Sequence, residues 1–368
     1  MTVTHADRKW MAQAVALAKQ GLYTTSPNPR VGCVIVKNDN VIAQGFHIQA
    51  GQGHAERNAL AQIKGQAQGA TAYVTLEPCS HFGRTPPCAD GLIEAGISRV
   101  VVGMIDPNPS VQGQGIEKLR AAGINVDYPC LEQDCNALNL GFIKRMAEKK
   151  PYVRLKLASS LDGRTAMHSG ESQWITGAEA RADVQHYRAL SCAIITGSGT
   201  VEVDQPSLNI RAEQLNRPYP THNIRQPLRV VVDSKLRVSA DNPFFSVSGP
   251  IAVATLVERS TEDYSANVSV LHVNECNGKV DLNHLLEQLA QQQINEVWVE
   301  AGAHMAGAFI ENDLVDELIV YQAPLLMGEN TLGMVNLPNV VSLKNASQWH
   351  YKSVTQIGSD IKLVLVKK

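Results

Sequence analysis

Short apolar runs alternate with amphipathic stretches along the chain, and this pattern predicts an α/β protein. In the first 150 residues, apolar runs of strand length lie at 31–36, 41–46, 73–77, 99–104 and 124–128. Helical spacing of apolar positions occurs near the N-terminus, where Thr4 or Asp7 is the predicted cap, and at 55–64, 89–95, 115–122 and 135–148. Strands that alternate with helices indicate a three-layer α/β sandwich with a largely parallel sheet.

A second strand–helix pattern begins at Pro151, so we predict two domains, at 1–150 and 151–368. Predicted strands of the second half lie at 152–158, 193–196, 228–233, 251–255, 269–273, 296–300, 318–324 and 361–366. Predicted helices lie at 179–189, 282–291 and 302–312. The segment 204–227 is long for a loop in a compact domain, and loops of that length often bind ligands.

Length and charge narrow the functional classes. The 368 residues suggest two domains, and a hydrophobic content of 44% is enough for full cores. Because 33 basic and 35 acidic side chains nearly cancel, the chain lacks the basic excess of a nucleic-acid-binding surface. No apolar run approaches the roughly 20 residues of a membrane span, and the polar start is unlike a signal peptide. We therefore expect a cytoplasmic protein with reduced cysteines and a small-molecule substrate, without nucleic-acid or membrane partners; the sequence leaves a homo-oligomer open.

The clearest chemical signal is a set of three candidate zinc ligands, His54, Cys79 and Cys88, with Glu56 two residues after the histidine. One imidazole and two thiolates bind zinc and leave a fourth tetrahedral position for water. Zinc lowers the pKa of such a water to about 7, so that hydroxide becomes available at neutral pH. The H-x-E…P-C…C arrangement is typical of zinc-dependent nucleobase deaminases. A closed zinc site with His81 as fourth ligand, or two buried cysteines without metal, are the alternatives.

The predicted secondary structure favours the open, catalytic zinc site. His54 opens one predicted helix, Cys88 opens another, and Cys79 follows a strand that Pro78 ends. The positive end of a helix dipole favours the thiolate at Cys88, which is the form that binds metal. We therefore predict His54, Cys79 and Cys88 as ligands and Glu56 as the catalytic proton shuttle.

Two strings in the first half resemble a known family. The string at 78–88 is Pro-Cys-Ser-His-Phe-Gly-Arg-Thr-Pro-Pro-Cys, with eight residues between its cysteines where the generic motif has two. It resembles the pyrimidine deaminases of riboflavin biosynthesis, as does Ser-Pro-Asn-Pro-Arg-Val-Gly at 26–32. The resemblance implies a cytidine-deaminase-like fold and a substrate held by Asn28, His81 and Arg84. Histidine and arginine in the long insert suit a phosphorylated substrate, because both can form charge-assisted hydrogen bonds.

Glycine turns follow two predicted strands of the second half, at 197–200 and 302–307. At a strand-to-helix turn, glycine lets backbone N–H groups approach a phosphate. Neither turn has the G-x-G-x-x-G fingerprint, so the glycines alone are equally compatible with turns that bind no ligand.

Further strings, at 155–163, 174–177, 200–204 and 300–302, resemble the reductases of the same pathway, which are similar in fold to dihydrofolate reductase. The resemblance implies NADPH as hydride donor. By the family motif, NADPH would be held by Ala158, Trp174, Thr200, Asp204, Ser234, Gly302, Ala303, His304, Met305, Ala306, Gly307 and Ala308. The ribosylamino-pyrimidine phosphate would be held by Lys156, Ser172, Leu208, Arg211 and Glu300. Lys156 is expected beside the reacting sugar.

Together the resemblances cover essentially the whole chain and imply a bifunctional deaminase–reductase. The first half would replace the 2-amino group of 2,5-diamino-6-(ribosylamino)pyrimidinone 5′-phosphate by oxygen, and the second would reduce the ribosyl group to ribityl. One rival is a nucleic-acid-editing deaminase, although an aromatic content of 5% and a net charge of -2 argue against it. Another is a deaminase with a non-catalytic C-terminal module. Arg217, Arg225 and Lys235 are candidate contacts for a cofactor 2′-phosphate, although an ordinary solvated charge is the favoured alternative for each.

Overall fold

The computed structural model describes residues 3–80, 82, 86–109, 111–215, 219, 221, 223–258 and 264–368. The chain forms two compact units, the first at 1–149 and 220–222 and the second at 150–219 and 223–368. Among the described residues, no helix combines the length and the apolar character that crossing a membrane requires.

The first unit is built on a mixed sheet. Its helices are α1 (His5–Ala18), α2 (Ala55–Gln62), α3 (Cys88–Glu94), α4 (Gln114–Ala121), α5 (Glu132–Leu138) and α6 (Leu140–Glu148), with a 3-10 turn at Lys19–Gly21. Its strands are β1 (Gly32–Lys37), β2 (Asn40–Phe46), β3 (Thr71–Leu76), β4 (Arg99–Met104) and β5 (Asn125–Asp127). The order is β2-β1-β3-β4-β5, in which β1 is antiparallel to both neighbours while β3, β4 and β5 are parallel. The expected parallel arrangement holds for β3 to β5, and β1 and β2 form a hairpin that left-handed Asn38 and Asp39 close.

Helices cover both faces of this sheet. Neighbouring residues of one strand point to opposite faces, and Val34 packs with Met11 of α1 while Ile35 packs with Leu92 of α3. The predicted three-layer sandwich is therefore present.

The start of α1 is fixed by a buried polar network. Thr4 is the N-cap, and its hydroxyl accepts from the backbone N–H of Asp7 at 3.2 Å while the Asp7 carboxylate accepts from the backbone N–H of Thr4 at 2.8 Å. Asp7 also accepts hydrogen bonds from the Tyr73 hydroxyl at 2.9 Å and from Arg99 Nη1 at 2.7 Å. The network ties α1 to β3 and β4.

The single helix predicted at 135–148 is wrong, because α5 and α6 are separate helices that meet at Asn139. The Asn139 backbone leaves the helical region, with φ −130° and ψ 28°. Its side chain accepts from the backbone N–H of Arg30 at 2.7 Å and donates to the Arg30 carbonyl at 2.9 Å. An asparagine side chain that satisfies distant backbone groups in this way competes with continuation of the helix.

The second unit is built on a longer, mainly parallel sheet. Its helices are α7 (Ala178–Leu190), α8 (Ser198–Asp204), α9 (Pro243–Ser246), α10 (Leu282–Gln291) and α11 (Ala303–Glu311), with 3-10 turns at Ala212–Gln214 and Leu343–Asn345. Its strands are β6 (Tyr152–Ser159), β7 (Arg164–Met167), β8 (Ala193–Gly197), β9 (Leu228–Val232), β10 (Ile251–Thr255), β11 (Val268–His272), β12 (Glu275–Cys276), β13 (Lys279–Val280), β14 (Glu296–Glu300), β15 (Glu317–Gln322), β16 (Thr331–Gly333), β17 (Trp349–Ile357) and β18 (Asp360–Lys367).

The main sheet of this unit has the order β11-β10-β9-β8-β14-β6-β15-β18-β17. Its strands run parallel from β11 to β15, and β18 and β17 follow antiparallel. The carboxyl ends of the parallel strands therefore meet at one edge, where open α/β sheets usually bind their ligands. Glu300 at the end of β14 pairs in register with Lys156 of β6.

Candidate zinc and cofactor sites

Three elements of the first unit bring the predicted zinc ligands together. His54 is the N-cap of α2, Cys88 is the first residue of α3, and Cys79 lies in the segment after β3. His54 Nδ1 lies 3.5 Å from Cys79 Sγ and 3.3 Å from Cys88 Sγ. Among the described residues, these three form the cluster that could hold a metal, with ligand atoms within 4.8 Å of one another.

The donor set fits zinc in chemistry and in size. Zinc–sulfur bonds of about 2.3 Å and zinc–nitrogen bonds of about 2.1 Å, set at the tetrahedral angle, separate sulfur from nitrogen by about 3.6 Å. The two observed sulfur–nitrogen distances are close to that separation. His81, the alternative fourth ligand, lies outside the described residues, as does the predicted substrate contact Arg84.

Hydrogen bonding prepares one thiolate in this cluster. The hydrogen bond from Cys88, with help from His54, lowers the pKa of Cys79 to about 4. The same hydrogen bond, together with burial, raises the pKa of Cys88. Glu56, in the first turn of α2, is 3% exposed; burial raises its pKa, and the neighbouring His54 opposes that effect. It is not a member of the ligand cluster.

A carboxylate clamp holds the segment that carries Cys79. The buried Glu77 side chain accepts from the backbone N–H groups of Gly113 at 3.0 Å and Gly115 at 2.9 Å. It also accepts from Asp106 at 3.2 Å and Ile116 at 3.3 Å. Glu77 thereby ties the end of β3 to the first turn of α4.

His47, which was not predicted from the sequence, connects Asn28 to the zinc-ligand cluster. Asn28 Nδ2 is 3.1 Å from His47 Nε2, and His47 Nδ1 is 3.0 Å from the Gly53 carbonyl. The ring of His47 meets the ring of His54 edge-on at 5.4 Å. If His47 Nδ1 carries the proton for Gly53, its Nε2 accepts from the Asn28 amide and leaves the Asn28 carbonyl oxygen to accept from other groups.

The second unit contains a large cavity of about 2060 Å³ along the carboxyl edge of its sheet. It is lined by most of the predicted cofactor and substrate residues, namely Lys156, Ala158, Ser172, Trp174, Thr200, Asp204, Leu208, Arg211, Ser234, Glu300, Gly302, Ala303, His304, Met305 and Ala308. The long segment expected to bind ligands contributes to the lining through 204–208, Arg211 and 213–215.

Two predicted cofactor residues do not line the cavity. Ala306 is fully buried in the core of the second unit. Gly307 is also buried, and a Cβ there would come within 1.8 Å of the Asn336 carbonyl oxygen. The sequence resemblance marked 302–308 as one run, but the helical turn of α11 directs these two residues into the packing, away from the cavity.

Where the end of β14 meets the cavity, two side chains hold Glu300. Arg188 forms a bidentate ion pair with the Glu300 carboxylate, with Nε 2.6 Å from Oε1 and Nη2 3.0 Å from Oε2. Trp298 Nε1 donates to Oε1 at 2.9 Å. Arg188 itself lines the cavity, and neither residue was predicted. The sequence around Arg188 does not indicate its contact with Glu300, because Arg188 lies on α7, far in sequence from β14.

Burial and neighbouring charges have opposite effects on the pKa values of Glu300 and Lys156. Burial favours protonated Glu300, but the charge and hydrogen bonds of Arg188, then Lys156 and Trp298, hold the pKa of Glu300 below its usual range. Burial lowers the pKa of Lys156, and Glu300 partly offsets that effect. Burial also raises the pKa of Asp204. The cavity thus holds an anchored carboxylate beside an amine that can lose its proton more easily than an exposed lysine.

Two family models divide the chain in the way the units do. Residues 4–104 match the cytidine and deoxycytidylate deaminase zinc-binding region, and residues 151–363 match the RibD C-terminal domain. The riboflavin biosynthesis protein RibD of Escherichia coli is 49% identical over 364 residues, covering 98% of this chain and 99% of the relative.

The chain belongs to the RibD family. The RibD protein of Haemophilus influenzae is 48% identical over 98% of both chains. The solved structure of Acinetobacter baumannii RibD, form 1, superposes with a TM-score of 0.92 at 46% identity and covers 99% of each chain. A Thermotoga maritima diaminohydroxyphosphoribosylaminopyrimidine deaminase/5-amino-6-(5-phosphoribosylamino)uracil reductase gives 0.87 at 34% identity, again over 99% of each chain.

These matches confirm the predicted family, the fold class and the bifunctional activity. The chain is a riboflavin biosynthesis enzyme that joins a zinc-dependent deaminase, a hydrolase, to an NADPH-dependent reductase. The rival of a non-catalytic C-terminal module is excluded by the RibD C-terminal domain match. The roles of individual residues stay predictions.

Proposed function

We propose that the first unit deaminates the diaminopyrimidine ribosyl phosphate and that His54, Cys79, Cys88 and Glu56 carry this reaction. The convergence of one imidazole and two thiolates beside a buried, non-ligating carboxylate supports the assignment. Bound zinc supplies an activated water. Glu56 takes up one proton as the water attacks and passes it to the ring nitrogen, and it then carries the hydroxyl proton to the leaving amine, so that ammonia departs and the carbonyl oxygen remains.

Asn28 binds the pyrimidine in this proposal, and His47 orients it. The contact from Asn28 Nδ2 to His47 Nε2 fixes which end of the Asn28 amide faces the substrate. A fixed amide discriminates between donors and acceptors on a flat ring better than a freely turning one does.

The second unit reduces the deaminated product in the cavity of the β14–β6 edge. NADPH, when bound, supplies the hydride that converts ribosyl to ribityl. Lys156 and Glu300 are paired in register, and both line the cavity, so they contact the sugar from adjacent strands. Lys156 carries the proton that the sugar oxygen needs, and Arg188 keeps Glu300 ionised and in place.

The same proposal takes the partner to be a small, phosphorylated metabolite and the location to be the cytoplasm. A net charge of -2 supports a metabolite over a nucleic acid. A homo-oligomer is part of the proposal because β17 is an edge strand among the described residues and exposes Tyr351 at 66% and Val354 at 58%.

Two variants test the deaminase assignment. Cys88→Ser is expected to lose zinc and deamination, and Glu56→Gln is expected to keep zinc while deamination falls ~100-fold or more. Zinc is measured by elemental analysis, deamination by ammonia release, and reduction by loss of NADPH absorbance with the deaminated substrate supplied. Reduction should persist in both, and Cys276→Ser, at an exposed cysteine outside the cluster, is the matched control. Full zinc in Cys88→Ser, or near-normal turnover in Glu56→Gln, would contradict the assignment.

A further inference from the structure

Basic side chains gather where the cavity of the second unit reaches the end of β9. Lys235 and Arg237 follow that strand, Lys279 comes from β13, and all three line the cavity. The backbone N–H of Val280 donates to Ser234 Oγ at 3.0 Å, which holds the β12–β13 hairpin against the turn that carries Lys235. The segments that carry these three cations therefore adjoin Ser234, a predicted cofactor contact.

Arg237 is already oriented for a ligand. Its Nη2 donates to Ser198 Oγ at 2.6 Å, and its Nε lies 3.9 Å from Asp233 Oδ1. The side chain is nevertheless 59% exposed, so part of its guanidinium fork faces open space. Within the described part of the chain, Lys235 and Lys279 have no carboxylate partner.

The sheet order places these cations at a distance from the reacting groups. From β9 the order runs through β8 and β14 to β6. Because neighbouring strands lie about 4.8 Å apart, the end of β9 is about 10 Å from Glu300 and about 14 Å from Lys156. A dinucleotide that placed its nicotinamide beside those two residues and its pyrophosphate at the Gly302 turn would have its adenosine half within reach of the end of β9 along the cavity.

The other candidates for a phosphate contact are weaker. Arg225 uses its guanidinium to donate to the carbonyls of Ala189 at 3.1 Å and Ser191 at 2.9 Å, and it does not line the cavity. Arg217 lies outside the described residues. Of the three basic residues proposed from the sequence, Lys235 is the one that lines the described cavity. Arg237 and Lys279, which the sequence did not indicate, line it as well.

We infer that Lys235, Arg237 and Lys279 bind the 2′-phosphate of NADPH and make the reductase select NADPH over NADH. The inference rests on the proposed reductase function of this cavity. A guanidinium fork matches phosphate oxygens in pairs, and ammonium groups add charge. Sites that prefer NADH instead place a carboxylate on the ribose 2′-hydroxyl. The acidic residues that line the cavity, Asp204, Glu213 and Glu300, come from other segments.

Calorimetric titration of NADP⁺ and NAD⁺ into the full-length protein tests the inference without turnover. The combined variant Lys235→Ala, Arg237→Gln keeps an amide that can still donate to Ser198, and Lys279→Ala is made separately. We expect the dissociation constant of NADP⁺ to rise by roughly 30-fold or more in the combined variant, while that of NAD⁺ changes less than about 3-fold. Arg237→Lys should lose part of the preference, because it keeps the charge and loses the fork.

The controls separate the possible failures. Lys344→Ala removes an exposed cation that does not line the cavity and should leave both affinities unchanged. Unchanged NADP⁺ binding in the combined variant, or equal losses for both dinucleotides, would overturn the inference and leave the reductase assignment standing. Wild-type protein that binds neither dinucleotide would overturn the proposed reductase function, and this inference with it.

Discussion

Gly115→Ala is expected to abolish zinc binding although the substitution lies on α4 and touches no ligand. A Cβ at Gly115 would lie 1.9 Å from the Pro78 carbonyl oxygen and 3.2 Å from Glu77 Oε1. Because Cβ atoms essentially never approach other atoms closer than 3.0 Å, α4 and Pro78 must separate by more than about 1 Å. Pro78 directly precedes Cys79, so the displacement reaches a zinc ligand.

The Glu77 clamp decides which element moves. Withdrawal of α4 would break the charge-assisted hydrogen bonds that Glu77 accepts from Gly113, Gly115 and Ile116, which at about 1.5 kcal/mol each amount to about 4.5 kcal/mol. A shift of Pro78 and Cys79 costs less, since overpacking typically costs about 2 kcal/mol. Metal ligands tolerate displacements of only about 0.2 Å, so a shift above 1 Å is incompatible with the site.

Elemental analysis and the two activity assays measure the outcome. Zinc and deamination should fall to background, the unfolding free energy of the first unit should drop by about 2 kcal/mol, and reduction of supplied deaminated substrate should be unchanged. Gln114→Ala, an exposed neighbour on the same helix, should behave as wild type. A stable Gly115→Ala protein with full zinc and normal deamination would refute the reasoning.

Three further perturbations follow from the same structure. The Gly302→Val variant should fold normally, since a Cβ there meets only Thr200 Oγ1 at 4.0 Å. Calorimetry should nevertheless show an NADP⁺ affinity reduced by ~10-fold or more, because the side chain fills space that the cofactor needs. A normal affinity would show that Gly302 is not part of the cofactor site. The Trp298→Phe variant keeps an aromatic ring against Tyr187 but loses the hydrogen-bond donor to Glu300. The kcat/KM for reduction should therefore fall ~10-fold while deamination is unchanged. An unchanged kcat/KM for reduction would show that Arg188 alone positions Glu300. Asp7→Asn should lower the unfolding free energy by about 3 kcal/mol at pH 7, against less than about 0.5 kcal/mol for the exposed Glu148→Gln. Although burial alone would raise the pKa of Asp7, the hydrogen bonds from Arg99, Thr4 and Tyr73 hold that pKa below its usual range. The stabilisation is therefore present above about pH 4 and is lost as the pH falls toward the folded-state pKa. If acid denaturation curves showed a stability difference between Asp7→Asn and wild type that did not shrink, this role would be contradicted.

The zinc cluster could be predicted because its signals are local. His54, Cys79 and Cys88 each lie beside a helix start or a strand end, and turn residues such as Pro78 mark those boundaries in the sequence. The distances from His54 to the two sulfurs then follow from the packing of α2, α3 and β3.

The features that escaped prediction depend on contacts between distant residues. Asn139 ends α5 because it bonds to the backbone of Arg30, and nothing near position 139 in the sequence indicates that partner. β17 was missed because its side chains are mostly exposed on both faces, so it lacks the period-two apolar pattern of a half-buried strand. Arg188 was missed because only the fold brings α7 to Glu300.

Selective loss of one activity is the expected behaviour of this chain because each site draws on its own unit. The described members of the zinc cluster and the Glu77 clamp all belong to the first unit, and every residue that lines the cavity belongs to the second. A variant that disturbs one set of contacts leaves the hydrogen bonds and ion pairs of the other intact. The retained activity is therefore an internal control for folding and concentration, and it distinguishes a residue that acts in one reaction from one whose loss unfolds the protein.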